Sequence, residues 1–156
     1  MLSLKRILHP TDFSEYAREA EHYACALARQ YGAELHLLNV VEDLLADMPP
    51  LGGPGLAMIA TNPSLMTQNA RQALEAFPNK EWGHDLKVHR AVRPGNAFVE
   101  IVRYAREHDV DLIVIGTHGR TGLRHVLMGS VAEHVVRTAS CPVLTVRPKT
   151  HSFVMP

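Results

Sequence analysis

In the second half of the chain, Asp111-Leu112-Ile113-Val114-Ile115 is an almost unbroken apolar run that stops at Gly116. A strand that is apolar at successive positions buries both of its faces. That is the condition of a parallel strand covered by helices on either side of a sheet. The rest of the chain supplies what such a sheet needs. Leu4-Lys5-Arg6-Ile7-Leu8-His9 predicts a first strand, stopped by Pro10, and Ala33 to Val41 a second. Leu86 to Val92 and Pro142 to Val146 predict two more. Between them, Phe13 to Tyr31 places Ala17, Ala20, Ala24, Leu27, Ala28 and Tyr31 on one helical face, followed by Gly32 as a left-handed cap. Further helices are predicted over Pro63 to Phe77, from an Asn96 cap to about His108, and over Ser130 to Ala139.

This order, five strands alternating with four helices, predicts an α/β fold: a doubly wound five-stranded parallel sheet with helices on both faces. One domain covers residues 1–148. A glycine- and proline-rich insertion at about 43–62 is expected to be flexible, and the tail 149–156 to be frayed. The 156 residues suffice for a core without disulfides or structural metal. Sixteen basic residues balance sixteen acidic ones, which argues against a general nucleic-acid binder, and no apolar run is long enough to span a membrane. The N-terminus has no secretory signal pattern, and Cys25 and Cys141 predict buried free thiols, so a cytoplasmic protein is expected.

Ligands of doubly wound sheets bind beyond the carboxyl ends of the strands, where strand order reverses. The loops after strands one, two and four are therefore the candidates. The last of them, Gly116 to Ser130, holds four of the ten glycines together with Arg120, Arg124, His118 and His125, and no acidic residue. Glycines allow backbone N–H groups to converge on an anion, and a helix beginning at Gly129-Ser130 would add its positive dipole end. Read without further context, the same loop is equally a plain turn, with Ser130-Val131-Ala132-Glu133 as a capping box. The loop is neither GxxxxGK[ST] nor GxGxxG, and no GxSxG occurs. His118, His125 and His134 lack carboxylates or thiolates at ligand spacing, so no metal site is expected.

Gly116-x-x-Gly119, nine residues, then Gly129-Ser130 resembles the G-2x-G-9x-G[ST] signature of the ATP-binding universal stress protein family. Pro10-Thr11-Asp12-Phe13-Ser14, Leu38-Asn39-Val40-Val41, Arg93-Pro94-Gly95 and Ser140-Cys141-Pro142-Val143-Leu144 match the family in the same order. The resemblance implies strand order 3-2-1-4-5 and a site for ATP, with Mg²⁺, beyond strands one, two and four. It places Pro10, Thr11 and Asp12 at the nucleoside end, with Asp12 beside the ribose; Asp12 also reads as the N-cap of the first helix. It places Val40 at the adenine edge through its backbone, and Ile115 and Gly116 along the nucleoside. Gly119, Arg120, Gly129, Ser130 and Val131 would surround the phosphates. Asn39 departs from the histidine that many relatives carry there. No catalytic residue is evident. The implied function is a nucleotide-dependent stress-response switch, and the alternative is a slow ATPase or phosphotransferase using the same loop. A homodimer through the last strand, Cys141 to Arg147, is implied as well, and that apolar edge would otherwise need protection. The expected partners are an adenine nucleotide and a second copy, with neither nucleic acid nor membrane.

Overall fold

The computed structural model describes residues 3–42, 63–117 and 128–147. The expected insertion at 43–62, the frayed tail, and the segment with His118, Gly119, Arg120, Arg124 and His125 lie outside the described residues. The elements are β1 (Arg6–Pro10), α1 (Glu15–Tyr31), β2 (Glu34–Val41), α2 (Pro63–Glu75), α3 (Lys80–Gly83), β3 (Val88–Pro94), α4 (Ala97–Glu107), β4 (Leu112–Gly116), α5 (Ser130–Thr138) and β5 (Val143–Val146). All strand pairs are parallel and the order is β3-β2-β1-β4-β5, as the sequence implied.

The alternation of side chains along each strand divides the core into two layers. Ile7, Leu35, Leu37 and Val114 point to the face covered by α1, α2 and α3. Leu8, Leu38, Ile113 and Ile115 point to the face covered by α4 and α5, against Ile101, Tyr104, Ala132 and Val135. Ile113 and Val114 are both completely buried, one on each face, which is why the run around them is apolar without alternation. Truncating such a side chain to alanine costs about 2–5 kcal/mol. The α1 face is lined by Ala17, Ala20, Ala24 and Ala28, small residues that let the helix lie close on the sheet, and Gly32 ends it in the left-handed region at φ 64°.

Several local expectations are corrected. Asp12 is not the cap of α1: Ser14 is, accepting from the Ala17 amide, and Phe13 stands outside the helix at φ 66°. Ser130 does not form a capping box, because the cap of α5 is Gly129 and Glu133 instead pairs with Arg137 at 2.8 Å. The short α3, capped by Asn79, was not expected; the Asn79 amide donates to the buried Glu21 carboxylate of α1. Pro10 is the last residue of β1 rather than the residue after it. Both cysteines are free, but only Cys25 is buried; Cys141 is half-buried. Burial pushes the Cys25 thiol up to about 12, so it stays protonated. Among the described residues no helix is long and apolar enough to cross a membrane.

Candidate functional site

Chain connectivity reverses at β1. From there the chain winds outward to β2 and β3, and later returns on the other side with β4 and β5. A cleft of about 670 Å³ opens above that reversal, within the range of small-molecule sites. Its first wall is the turn after β1, which is built tightly. The Thr11 amide donates to the Leu38 carbonyl at 2.9 Å, and the buried Asn39 side chain donates back to the Thr11 carbonyl at 2.8 Å. Thr11 Oγ1 accepts from the Phe13 amide and Asp12 Oδ1 from the Ser14 amide. These bonds keep Phe13 at positive φ, a strained state costing about 1–3 kcal/mol for a residue with a Cβ. The Phe13 ring packs on Phe77 at 5.4 Å between centroids.

Below this turn, His9 is fully buried and its Nδ1 donates to the Val114 carbonyl at 2.9 Å. Its Nε2 has no hydrogen-bond partner, and burial lowers its pKa to about 4. The imidazole is therefore neutral at pH 7 and fills space between β1 and β4 as an uncharged group.

The second wall is the end of β2, Val40 and Val41, continuing into Glu42. Glu42 Oε1 accepts from the Ala97 amide at 3.1 Å and so holds the start of α4, while the Gly95 amide donates to the Val41 carbonyl. Gly95 lies at φ +135°, and a Cβ there would press on the Glu100 side chain at 3.2 Å. The third wall is β4 and the start of α5. Thr117, buried after Gly116, donates its amide to Val146, and its carbonyl accepts from Gly129 at 2.6 Å. That bond brings the chain back beside the end of β4, so that Gly129, Ser130, Val131 and Ala132 border the cleft. A nine-residue helix thus begins there, with the unpaired amides and positive dipole end that favour anions.

Nine of the eleven sequence-predicted site residues are described, and all nine line this one cleft: Pro10, Thr11, Asp12, Val40, Ile115, Gly116, Gly129, Ser130 and Val131. Gly119 and Arg120 lie outside the described residues. The sequence marks Met66 as a candidate adaptable contact but not Ala70 and Ala73 of α2 or Ala97 and Ile101 of α4, which with it form the apolar side of the cleft. Alanines and an isoleucine on amphipathic helices look like ordinary core positions, and no spacing sets them apart. Asn39 was noted only as a departure; the structure shows it tying β2 to the β1 turn.

A doubly wound sheet with a cleft at its switch point and a helix start facing it defines a class of small-ligand-binding α/β proteins. Within that class the chain belongs to the universal stress protein family, whose family model matches residues 3–147. Universal stress protein MJ0531 of Methanocaldococcus jannaschii is 37% identical over 145 residues, covering 92% of this chain and 82% of that protein. Universal stress protein MJ0577 of the same organism is 31% identical over 155 residues, covering 93% and 96%. The solved structure of MJ0577 superimposes with a TM-score of 0.81 at 30% identity, covering 96% of this chain and 99% of that one. A universal stress protein crystallised in complex with cAMP shares the fold, with a TM-score of 0.61 at 23% identity over 94% and 98% of the two chains.

Proposed function

We propose that the cleft binds ATP with Mg²⁺ and that the protein is a nucleotide-dependent switch. The observation that carries this reading is that the start of α5 opens into the same cleft as Asp12 and Val40, at the switch point of the sheet. Each part of a nucleotide then has a partner of suitable chemistry. The adenine lies between Val40, Ile115 and the alanines of α2, with its edge read by the β2 backbone. Asp12 accepts from the ribose hydroxyls. The phosphates lie at Gly129, Ser130 and Val131, where Gly129 allows close approach and Ser130, released from a capping role, keeps its position in the first turn. The family resemblance adds Gly119 and Arg120, which lie outside the described residues, to the phosphate-binding set. A bound nucleotide stabilises one arrangement of the loops around it, which alters the surface offered to partners without requiring turnover.

Two copies are further inferred to pair through β5, the edge strand on which Leu144 is 36% exposed. Leu144→Lys is expected to turn a dimer into a monomer in sedimentation velocity.

The decisive test is the identity of nucleotide released on denaturing the purified protein, together with calorimetric titration of ATP and Mg²⁺ into wild type and Gly129→Val. Retained adenine nucleotide, with binding lost in the variant, supports the reading. No released nucleotide and no heat at millimolar ATP would refute it.

A further inference from the structure

At the opposite end of the sheet three donor side chains converge that play no part in the cleft. Glu34 and His36 are two residues apart on β2 and so project from the same face, toward α4. His36 is paired in register with His89 of the neighbouring edge strand β3, which brings the second imidazole alongside the first. Glu34 Oε2 lies 3.3 Å from His89 Nε2 and 3.9 Å from His36 Nε2, and one donor atom from each of the three residues falls within 4.8 Å of the others. We propose that Glu34, His36 and His89 form a binding site for a divalent transition-metal cation, Zn²⁺ by its donor set.

The strongest independent observation is the state of His36. The residue is only 4% exposed, yet its Nε2, the atom turned toward Glu34 and His89, has no hydrogen-bond partner. A buried nitrogen lone pair left unpaired is costly, and a cation satisfies it. The other ring nitrogen is already engaged: Nδ1 lies 2.8 Å from the Tyr104 hydroxyl. If Nδ1 donates to that oxygen, the tautomer is the one that leaves Nε2 open for a metal, the arrangement in which metal-ligating histidines are commonly held.

The rings of His36 and His89 are stacked, with centroids 4.8 Å apart, so the exposed His89 ring must turn for both nitrogens to face one ion. Ligand atoms around tetrahedral zinc are about 3.3 Å apart, given metal–ligand bonds of about 2.0–2.1 Å. The Glu34–His89 separation already has that value, and His89, 47% exposed at its side chain on an edge strand, has room to turn. The Glu34 carboxylate is steadied through its other oxygen, Oε1, by Lys87. Two imidazoles and one carboxylate leave a fourth position open. Beside the two rings is a groove of about 570 Å³, lined also by Arg93, Tyr104 and His108, with space for a water or small anion. His36 is four residues before Val40, which at about 3.3 Å per residue separates it from that part of the nucleotide cleft by about 13 Å. The sequence reading, which expected no metal, considered histidines in a loop and a helix; this set is assembled by strand register, which spacing along the chain does not display.

The test is titration of the chelator-treated full chain with Zn²⁺ by calorimetry, and with Co²⁺ by absorption. One equivalent of tight binding and the intense bands of four-coordinate cobalt are expected. His89→Ala and Glu34→Gln should each weaken binding at least about 100-fold, and Tyr104→Phe about 10-fold, the lower end of the effect of losing a hydrogen bond to a ligand. His89 is on the surface, so its variant should fold, which metal-free thermal unfolding verifies; His89→Gln serves if it does not. Undiminished binding in both His89 variants, or no binding at tens of micromolar Zn²⁺, would overturn the proposal.

Discussion

At the carboxyl ends of β1, β2 and β4, the cleft is bordered by the start of α5, the end of β2, and a turn whose amides at Phe13 and Ser14 are held by side chains. At the starting ends of β2 and β3 the polar groups are side chains fixed by strand register, as in His36 opposite His89. The first kind of site requires glycines and a defined loop length, so it leaves a spaced signature in the sequence. The second requires only that certain residues occupy paired positions on two strands about fifty residues apart. One sheet therefore offers a site that a motif can announce and another that appears only when the strands are paired.

The largest effect that separates the two ends is expected from Gly129→Val. A branched side chain at the α5 cap crowds the approach to the helix start. Losing two charge-assisted hydrogen bonds at about 1.5 kcal/mol each lowers ATP affinity about 100-fold. Zn²⁺ titration of this variant should match wild type, and ATP titration of His89→Ala should do likewise, because His89 does not line the cleft and Gly129 does not line the groove beside the two histidines. If either variant moved both affinities, the two ends of the sheet would be coupled through β2 and would not be independent sites.

A comparable effect, on stability rather than binding, is expected at His9, between β1 and β4. Burial holds its folded pKa at about 4, below the ordinary histidine value of 6.5. Between those values the unfolded chain carries a proton there that the folded chain does not, so stability falls as pH is lowered from about 6.5 to about 4. For this fully buried ring the loss is on the order of 3 kcal/mol. Urea unfolding of wild type and His9→Leu across that window should show a flatter profile for the variant. Parallel profiles would mean that other groups control the acid sensitivity.

The legibility of the molecule follows the range of the forces involved. Strand and helix order were readable because the apolar runs of β4 and the alanine stripe of α1 are local patterns with physical periods. The glycine loop alone read equally as a plain turn, and it was the family resemblance that gathered Asp12, Val40 and Gly129 at the strand ends where the cleft opens. Helix starts were misread at Asp12 and Ser130. In each case two nearby residues compete for one cap: the Thr117 carbonyl accepting from Gly129 decides the second, and local bonds from the Phe13 amide to Thr11 and from the Ser14 amide to Asp12, which keep Phe13 outside the helix, decide the first. The apolar wall from α2 and α4 was not readable, because Ala70 and Ile101 have the same spacing whether they meet a ligand or a core. His36 and His89 needed the register of β2 against β3.

Asn39 tests the cleft's own construction and is expected to give the smallest of these effects. Its Nδ2 donates to the Thr11 carbonyl from a position only 4% exposed, so alanine leaves that carbonyl without this donor. A loss of about 1–2 kcal/mol is expected, which for a domain of this size lowers the melting temperature by about 3–6 °C. The consequence for ligand binding follows from the same bond. Thr11 positions Phe13 through Oγ1, and Asp12 lies between them, so loosening Thr11 should weaken ATP in Asn39→Ala by several-fold while leaving Zn²⁺ affinity unchanged. Asn39→Asp sharpens the result: it keeps the size but replaces the donor with a charged acceptor facing a carbonyl, and should destabilise more than alanine. Equal melting temperatures for wild type and both variants would show that the strained turn after β1 stands without Asn39.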